Sequence, residues 1–295
     1  MVTIKRILCP IDFSSFSRDA LEYAQVFARW FGARVTVLHT YAQPGFLEIV
    51  VSMPIPIDRD ALQQHMDKFT KSVGATGADV ETLLREGDAV AQIVDVAASL
   101  PADLIIMGTH GRGGFDRLTL GSVTEKVLRK VSCPVLTVTV PPDPESRTGA
   151  SLFTQILCAV DFSDSSAAGL RYAISIAKDA RAKLALVHVI EGPPDPERDM
   201  PADEMPEYLQ KMVQDAEARL RQLVPAETRQ VCQVSEVVRF GRSYVKVLHI
   251  AQEQRADLIV MGAHGANLIN TMLYGSTTNH VVRQAGCPVL TVRVA

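Results

Sequence analysis

The chain has 295 residues, 47% of them hydrophobic and 21% charged, with a formal net charge of −3. That length suits two domains, and that composition suits a globular protein with a sizeable core. The slightly acidic balance argues against general nucleic-acid binding, which shows as a basic excess, and no run of about 18 apolar residues predicts a membrane span.

The chain enters a strand almost at once, since IKRILCPI is a near-continuous apolar run and reads as buried. No apolar leader with a small-residue cleavage site precedes it, so a cytoplasmic protein is expected. SSFSRDALEYAQVFARWFG follows as a helix, with Leu21, Ala24, Val26, Phe27 and Trp30 on helical spacing and Gly32 at its stop. ARVTVLHT is a second strand, DALQQHMDKFTKSV a helix, DVETLL a strand and AVAQIVDVAASL a helix. DLIIM is the fourth strand, GSVTEKVLRKV the last helix and PVLTVTV the last strand.

After residue 150 the pattern begins again. ILCPIDFSSFSRDALEYA at 7–24 matches ILCAVDFSDSSAAGLRYA at 156–173, and ADLIIMGTHG at 102–111 matches ADLIVMGAHG at 256–265. CPVLTV occurs at both 133–138 and 287–292. Asp12 and His39 recur as Asp161 and His188, and Gly108 recurs as Gly262. This is one duplicated domain, whose repeat is far too long for a solenoid. The prolines and small polar residues of PPDPESRTGA at 141–150 mark the boundary. The expected division is a first domain at 1–142, a linker at 143–152 and a second domain at 153–295. Buried strands alternating with helices predict an α/β fold, a parallel sheet covered by helices on both faces.

The five cysteines, Cys9, Cys133, Cys158, Cys232 and Cys287, form no CxxC pair or other metal spacing. Most lie in apolar strand patterns and read as small buried hydrophobes, which fits a reducing compartment.

In open parallel sheets ligands bind beyond the carboxyl ends of the strands, where strand order reverses. That rule selects Pro10 and Asp12 after the first strand, Thr40 at the end of the second, and the stretch MGTHGRGGFDRLTLGS at 107–122 after the fourth. The second copy offers Asp161, Val189 and MGAHGANLINTMLYGS at 261–276. Gly108, Gly111 and Gly121-Ser122 share their spacing with Gly262, Gly265 and Gly275-Ser276. Glycines permit close backbone approach, and a helix start offers free N–H groups to an anion. The hydroxyls of Ser122, Thr124, Ser276, Thr277 and Thr278 can cap that helix or bind a phosphate oxygen. One such exit can equally be a turn, but two in register favour a polyphosphate cradle. No lysine precedes Ser122 or Ser276, as a Walker loop requires, and a dinucleotide fingerprint would follow the first strand.

The order CPIDFS, VLHT, IIMGTHG, nine residues, then GSVTEKVLRKVSCPVLTV resembles the universal stress protein family across each whole copy. The resemblance implies two tandem Rossmann-like domains of adenine-nucleotide-binding type, each with a five-stranded parallel sheet. It implies that the end of strand one and the residue after the strand-two histidine line the adenine, while the glycine stretch and Gly-Ser hold ribose and phosphates. Carried over, the first site is Pro10, Asp12, Thr40, Met107, Gly108, His110, Gly111, Gly121, Ser122, Val123 and Thr124. The second is Asp161, Val189, Met261, Gly262, His264, Gly265, Gly275, Ser276, Thr277 and Thr278. The implied ligand is ATP, or ADP or AMP, with Mg2+ accompanying the phosphates.

The copies depart from one another in places. Ala159 stands for Pro10, and Thr40 puts a hydroxyl where an aliphatic residue is common in the family. Arg112 and Arg117 in the first stretch can screen phosphate charge, whereas the second has Ala266 and Asn267. If the sites differ, the first should favour triphosphate more. His110 and His264 either touch the ligand or pack locally, and His39 and His188 read as structural. Asp12 and Asp161 face the ligand or cap the helix that follows. The acidic, proline-rich stretch at 191–208 reads as a loop leading into a helix, or as a lid or partner surface, with a shorter counterpart at 52–62.

No catalytic set emerges, because no base is placed to activate water and no catalytic motif is present. The expected function is an adenine-nucleotide-binding stress regulator with little or no hydrolysis, acting through ligand-dependent conformation on an unidentified protein partner. A slow nucleotide-dependent enzyme and a nucleotide-free scaffold, or a binder of another small molecule, are the alternatives. The last strands invite edge pairing, and the resemblance implies an internal pseudo-dimer of the two domains, with whole chains able to dimerise again.

Overall fold

The structure is a computed structural model that describes residues 2–42, 58–73, 77–111, 120–139, 153–191, 206–263 and 275–294. Two compact units divide the chain, the first running from Thr3 to Arg147 and the second starting at Thr148. The first comprises β1 (Arg6–Ile11), α1 (Ser15–Phe31), β2 (Arg34–Tyr41), α2 (Arg59–Ser72), β3 (Asp79–Glu86), α3 (Ala89–Ser99), β4 (Leu104–Gly108), α4 (Ser122–Lys130) and β5 (Val135–Val138). The second comprises β6 (Gln155–Ala159), α5 (Asp164–Ala180), β7 (Lys183–Ile190), α6 (Glu207–Leu223), α7 (Ala226–Val231), β8 (Val234–Phe240), α8 (Ser243–Glu253), β9 (Leu258–Gly262), α9 (Ser276–Gln284) and β10 (Val289–Val292). The short helix α7 is an addition to the order expected from a plain repeat.

Within the first unit the strands run β3-β2-β1-β4-β5, and within the second β10-β9-β6-β7-β8. The pairings inside each unit are parallel. Right-handed crossovers then put α1 and α2 on one face of the first sheet and α3 and α4 on the other. Packing agrees, since α1 lies across β1, β4 and β5 while α3 lies against α4 and β2. The central strands are apolar because both faces are covered, and Leu8, Cys9, Val35, Val37, Ile105 and Ile106 are all at most 1% exposed.

Helix α1 has sharp ends for local reasons. Ser14 caps it by accepting the Ser17 N–H at 3.2 Å, and Gly32 closes it at φ 61°, in the left-handed region. Arg181 takes the same conformation at the end of α5, with φ 52°.

Strand order reverses between β1 and β4. The β1–β2 register continues to Ile11–His39, but β1 and β4 pair at Ile7–Leu104 and Leu8–Ile105. The two strands therefore part toward their carboxyl ends, which leaves a crevice at the switch point.

Candidate functional site

A cavity of about 440 Å³ opens at that crevice in the first unit, within the usual range for small-molecule sites. The chain exits of β1, β2 and β4 and the start of α4 supply Pro10, Asp12, Thr40, Met107, Gly108, His110, Gly111, Gly121, Ser122, Val123 and Thr124 to its lining. Every first-copy candidate among the described residues is thus brought to one space. Arg112 lies outside the described residues, as does Arg117. Ile11, Ser17, Leu38, His39, Ala89, Ile93 and Leu120 also line the cavity. Ser17, Ala89 and Ile93 are not apparent from the sequence pattern, because α1 and α3 reach the site only through tertiary packing.

Asp12 does not cap α1, because Ser14 does. Its carboxylate is instead part of a small hydrogen-bonded ring. The Ser14 N–H donates to Oδ1 at 3.0 Å and the Ser17 hydroxyl donates to it at 2.6 Å. The Asp12 N–H donates to Ser17 Oγ at 2.9 Å. Oδ2 lies against Gly111, where a β-carbon would stand 2.6 Å from it. Phe13, which follows, sits at φ 65°, and Phe162 in the second copy at φ 63°. That backbone is unfavourable for a bulky residue, and its recurrence makes it part of the shared frame.

The glycines have reasons that the sequence did not reveal. A β-carbon on Gly108 would lie 2.8 Å from Phe16 Cβ, and one on Gly262 would lie 2.8 Å from the Ser165 and Ser166 backbone. Each glycine lets the first helix of its domain pack directly on the fourth strand. Gly121 sits at φ −57°, so positive φ does not explain it. A β-carbon there would stand 3.0 Å from the Thr109 carbonyl, to which Gly121 donates its own N–H at 2.8 Å.

Gly121 occupies the N-cap of α4, so Ser122 is the first helical residue rather than the cap. The first helical hydrogen bond runs from Glu125 N–H to the Gly121 carbonyl at 2.9 Å. The N–H groups of Ser122, Val123 and Thr124 precede it, and no side chain caps this helix. Such an end attracts an anion. The Thr124 hydroxyl is committed elsewhere, donating to the Gly108 carbonyl at 2.8 Å, and so ties the helix start to the strand exit.

The histidines are held locally. His39 Nδ1 lies 2.8 Å from the Ile11 carbonyl and His188 Nδ1 lies 2.7 Å from that of Val160. Both nitrogens therefore carry the proton and donate. Their rings pack on Phe13 and Phe162 at 4.3 and 4.6 Å. His110 Nδ1 meets Thr109 Oγ1 at 2.9 Å, and the ring packs 5.0 Å from that of Phe16. Its Nε2 is buried with no hydrogen-bond partner among the described residues.

The second unit repeats the frame at its own strand exits. Asp161 Oδ1 accepts from the N–H and the hydroxyl of Ser163, the cap of α5. Val189 lies near the end of β7, and Met261 and Gly262 close β9. Gly275 donates its N–H to the Ala263 carbonyl at 3.0 Å and is the N-cap of α9, again with no side-chain cap. Ser276, Thr277 and Thr278 open that helix, and Thr278 Oγ1 donates to the Gly262 carbonyl at 3.0 Å. His264 and Gly265 lie outside the described residues, as do Ala266 and Asn267.

The first cavity thus offers three kinds of contact. Leu38, Ala89, Ile93, Met107 and Leu120 give an apolar wall, Asp12 a hydrogen-bond acceptor, and the α4 start a set of N–H donors. No cysteine belongs to it, and burial pushes the Cys158 and Cys287 thiols up to about 12. No helix among the described residues is long and apolar enough to cross a membrane.

The model of the universal stress protein family matches residues 3–139 and again 152–293. A universal stress protein of Mycolicibacterium smegmatis is 26% identical over 296 residues, covering 97% of this chain and 96% of its own. One from Methanocaldococcus jannaschii is 33% identical over 141 residues, which is 46% of this chain and 83% of that protein. The crystal structure of a universal stress protein from Archaeoglobus fulgidus superposes with a TM-score of 0.71 at 25% identity, covering 98% of both chains.

Proposed function

The chain belongs to the universal stress protein family, and from that premise we propose that it binds an adenine nucleotide, ATP foremost, and acts as a stress-response regulator. The observation that carries this reading is the first-domain cavity, where an apolar wall, a fixed carboxylate and an uncapped helix start converge. A nucleotide has matching parts. Its base is flat and apolar-faced, its amino and hydroxyl groups donate to a carboxylate, and its phosphates suit helix N–H groups. The α9 start supports a second, equivalent site. Among the described residues no three metal-binding side chains gather, so Mg2+ is assigned to the phosphates rather than to a protein cage. Arg112, His264 and Gly265 complete the two sites in this reading.

Binding shifts the conformational population and so changes the surface offered to a protein partner. Hydrolysis has little or no part in this reading.

One observation favours a second reading, a nucleotide-free scaffold. Gly108 and Gly262 are fully explained by helix packing, so the glycine pattern by itself does not require a ligand. Calorimetric titration of the full chain with ATP, ADP and AMP, alongside steady-state phosphate release, separates the two. Saturable binding without appreciable phosphate release supports the regulator. Absence of binding by all three nucleotides leaves the scaffold.

A further inference from the structure

The two copies hold the aspartate of their first-strand exit in different ways. In the first, Ser17 Oγ both accepts the Asp12 N–H at 2.9 Å and donates to Asp12 Oδ1 at 2.6 Å. Ser17 is 5% exposed and lines the cavity. The equivalent residue of the second copy is also a serine, Ser166, with 2% exposure. Its hydroxyl turns away and donates to the Ser163 carbonyl at 3.0 Å. Identical residue types at equivalent positions therefore do different work.

The surroundings of the two serines differ at the preceding residue. Phe16 packs its ring on His110 in the first copy. Ser165 replaces it in the second and donates its hydroxyl to the Val292 carbonyl at 3.1 Å.

We propose that Ser17 is a positioning residue that fixes the Asp12 carboxylate at the cavity of the first domain, a task that its counterpart Ser166 does not perform in the second. The proposal rests on the nucleotide-binding reading. With Oδ1 held by two donors, Ser17 Oγ and Ser14 N–H, the carboxylate has one orientation, and Oδ2 is held on the Gly111 side. A group already in its binding geometry loses little freedom when the ligand arrives. In the second copy the two donors to Asp161 Oδ1 are the N–H and the hydroxyl of Ser163, and the Ser166 proton goes to a main-chain carbonyl instead.

The test is ATP titration of the full chain as wild type, Ser17→Ala, Ser166→Ala, Asp12→Asn and the Ser17→Ala/Asp12→Asn double variant. Asparagine keeps an oxygen for Ser14 and Ser17 while removing the charge. Ser17→Ala should weaken the first-domain site about tenfold, and Ser166→Ala should leave both affinities within about twofold. In the Asp12→Asn background Ser17→Ala should add little, because a residue acting through the carboxylate is coupled to it. Should the alanine variant not fold, Ser17→Cys carries the same expectation, since a thiol bonds weakly. Equal effects of Ser17→Ala and Ser166→Ala, or full additivity with Asp12→Asn, overturn the positioning role while leaving nucleotide binding intact. Wild-type protein that binds no adenine nucleotide overturns the functional reading itself and the proposal with it.

Discussion

Asp12 and Gly111 face each other so closely that a β-carbon on residue 111 would stand 2.6 Å from Asp12 Oδ2. One is the exit of the first strand and the other follows the exit of the fourth, so this approach closes the switch point from both sides. Gly111→Ala must push the carboxylate away. The contacted atom ends a side chain, so the fold should tolerate the change while the site does not. Nucleotide affinity should fall about tenfold, with the melting temperature nearly unchanged. Titration calorimetry and differential scanning calorimetry on the same variant check both halves.

The glycines that end β4 and β9 behave differently. At Gly108 and Gly262 the added β-carbon would meet Phe16 Cβ and the Ser165–Ser166 backbone at 2.8 Å, none of which can swing aside. Gly108→Ala and Gly262→Ala should each destabilise their own domain by about 1–3 kcal/mol, as overpacking does. Urea unfolding followed by far-ultraviolet circular dichroism reads this without any ligand.

Thr124 and Thr278 fasten a helix start to a strand exit through their hydroxyls, at 2.8 and 3.0 Å from the carbonyls of Gly108 and Gly262. Valine has the same shape and leaves those carbonyls without the bond. Thr124→Val and Thr278→Val should each cost about 1–3 kcal/mol, detectable as a lower urea midpoint. Thr124→Val should also weaken nucleotide binding, since it frees the helix end that lines the cavity.

Much of this is legible in the sequence, and the limits have physical causes. The duplicated strand–helix order follows from apolar runs and caps, and the switch-point rule by itself selects Asp12, Gly111 and Ser122. What stays hidden depends on distances between elements far apart in the chain. Gly108 is visible as a glycine, but the helix pressing on it through Phe16 is not. Ala89 and Ile93 read only as one apolar face of a helix, and nothing local says that this face meets a cavity. Ser17 and Ser166 are indistinguishable as letters, yet their hydroxyls bond to different groups. The cap assignments also depend on geometry, since Gly121 rather than Ser122 takes the N-cap.

The cysteines give a prediction of another kind. Burial pushes the thiols of Cys158 and Cys287 up to about 12 and that of Cys133 to about 11, and it raises Cys9 and Cys232 as well. The neutral thiol is favoured, so at pH 8 only about one Cys133 thiol in a thousand would be the reactive thiolate. Native protein should react slowly with an aromatic disulfide reagent at pH 8, whereas protein unfolded in guanidinium should yield all five thiols. A fast-reacting thiol in the native state would contradict this environment.

Native mass spectrometry of the full-length chain, with and without added ATP and repeated on Asp12→Asn, tests nucleotide binding most directly. A nucleotide-binding first domain predicts a mass increase of at least one adenine nucleotide per chain, diminished in the variant. A spectrum of the bare chain alone, unchanged by added ATP, would contradict it.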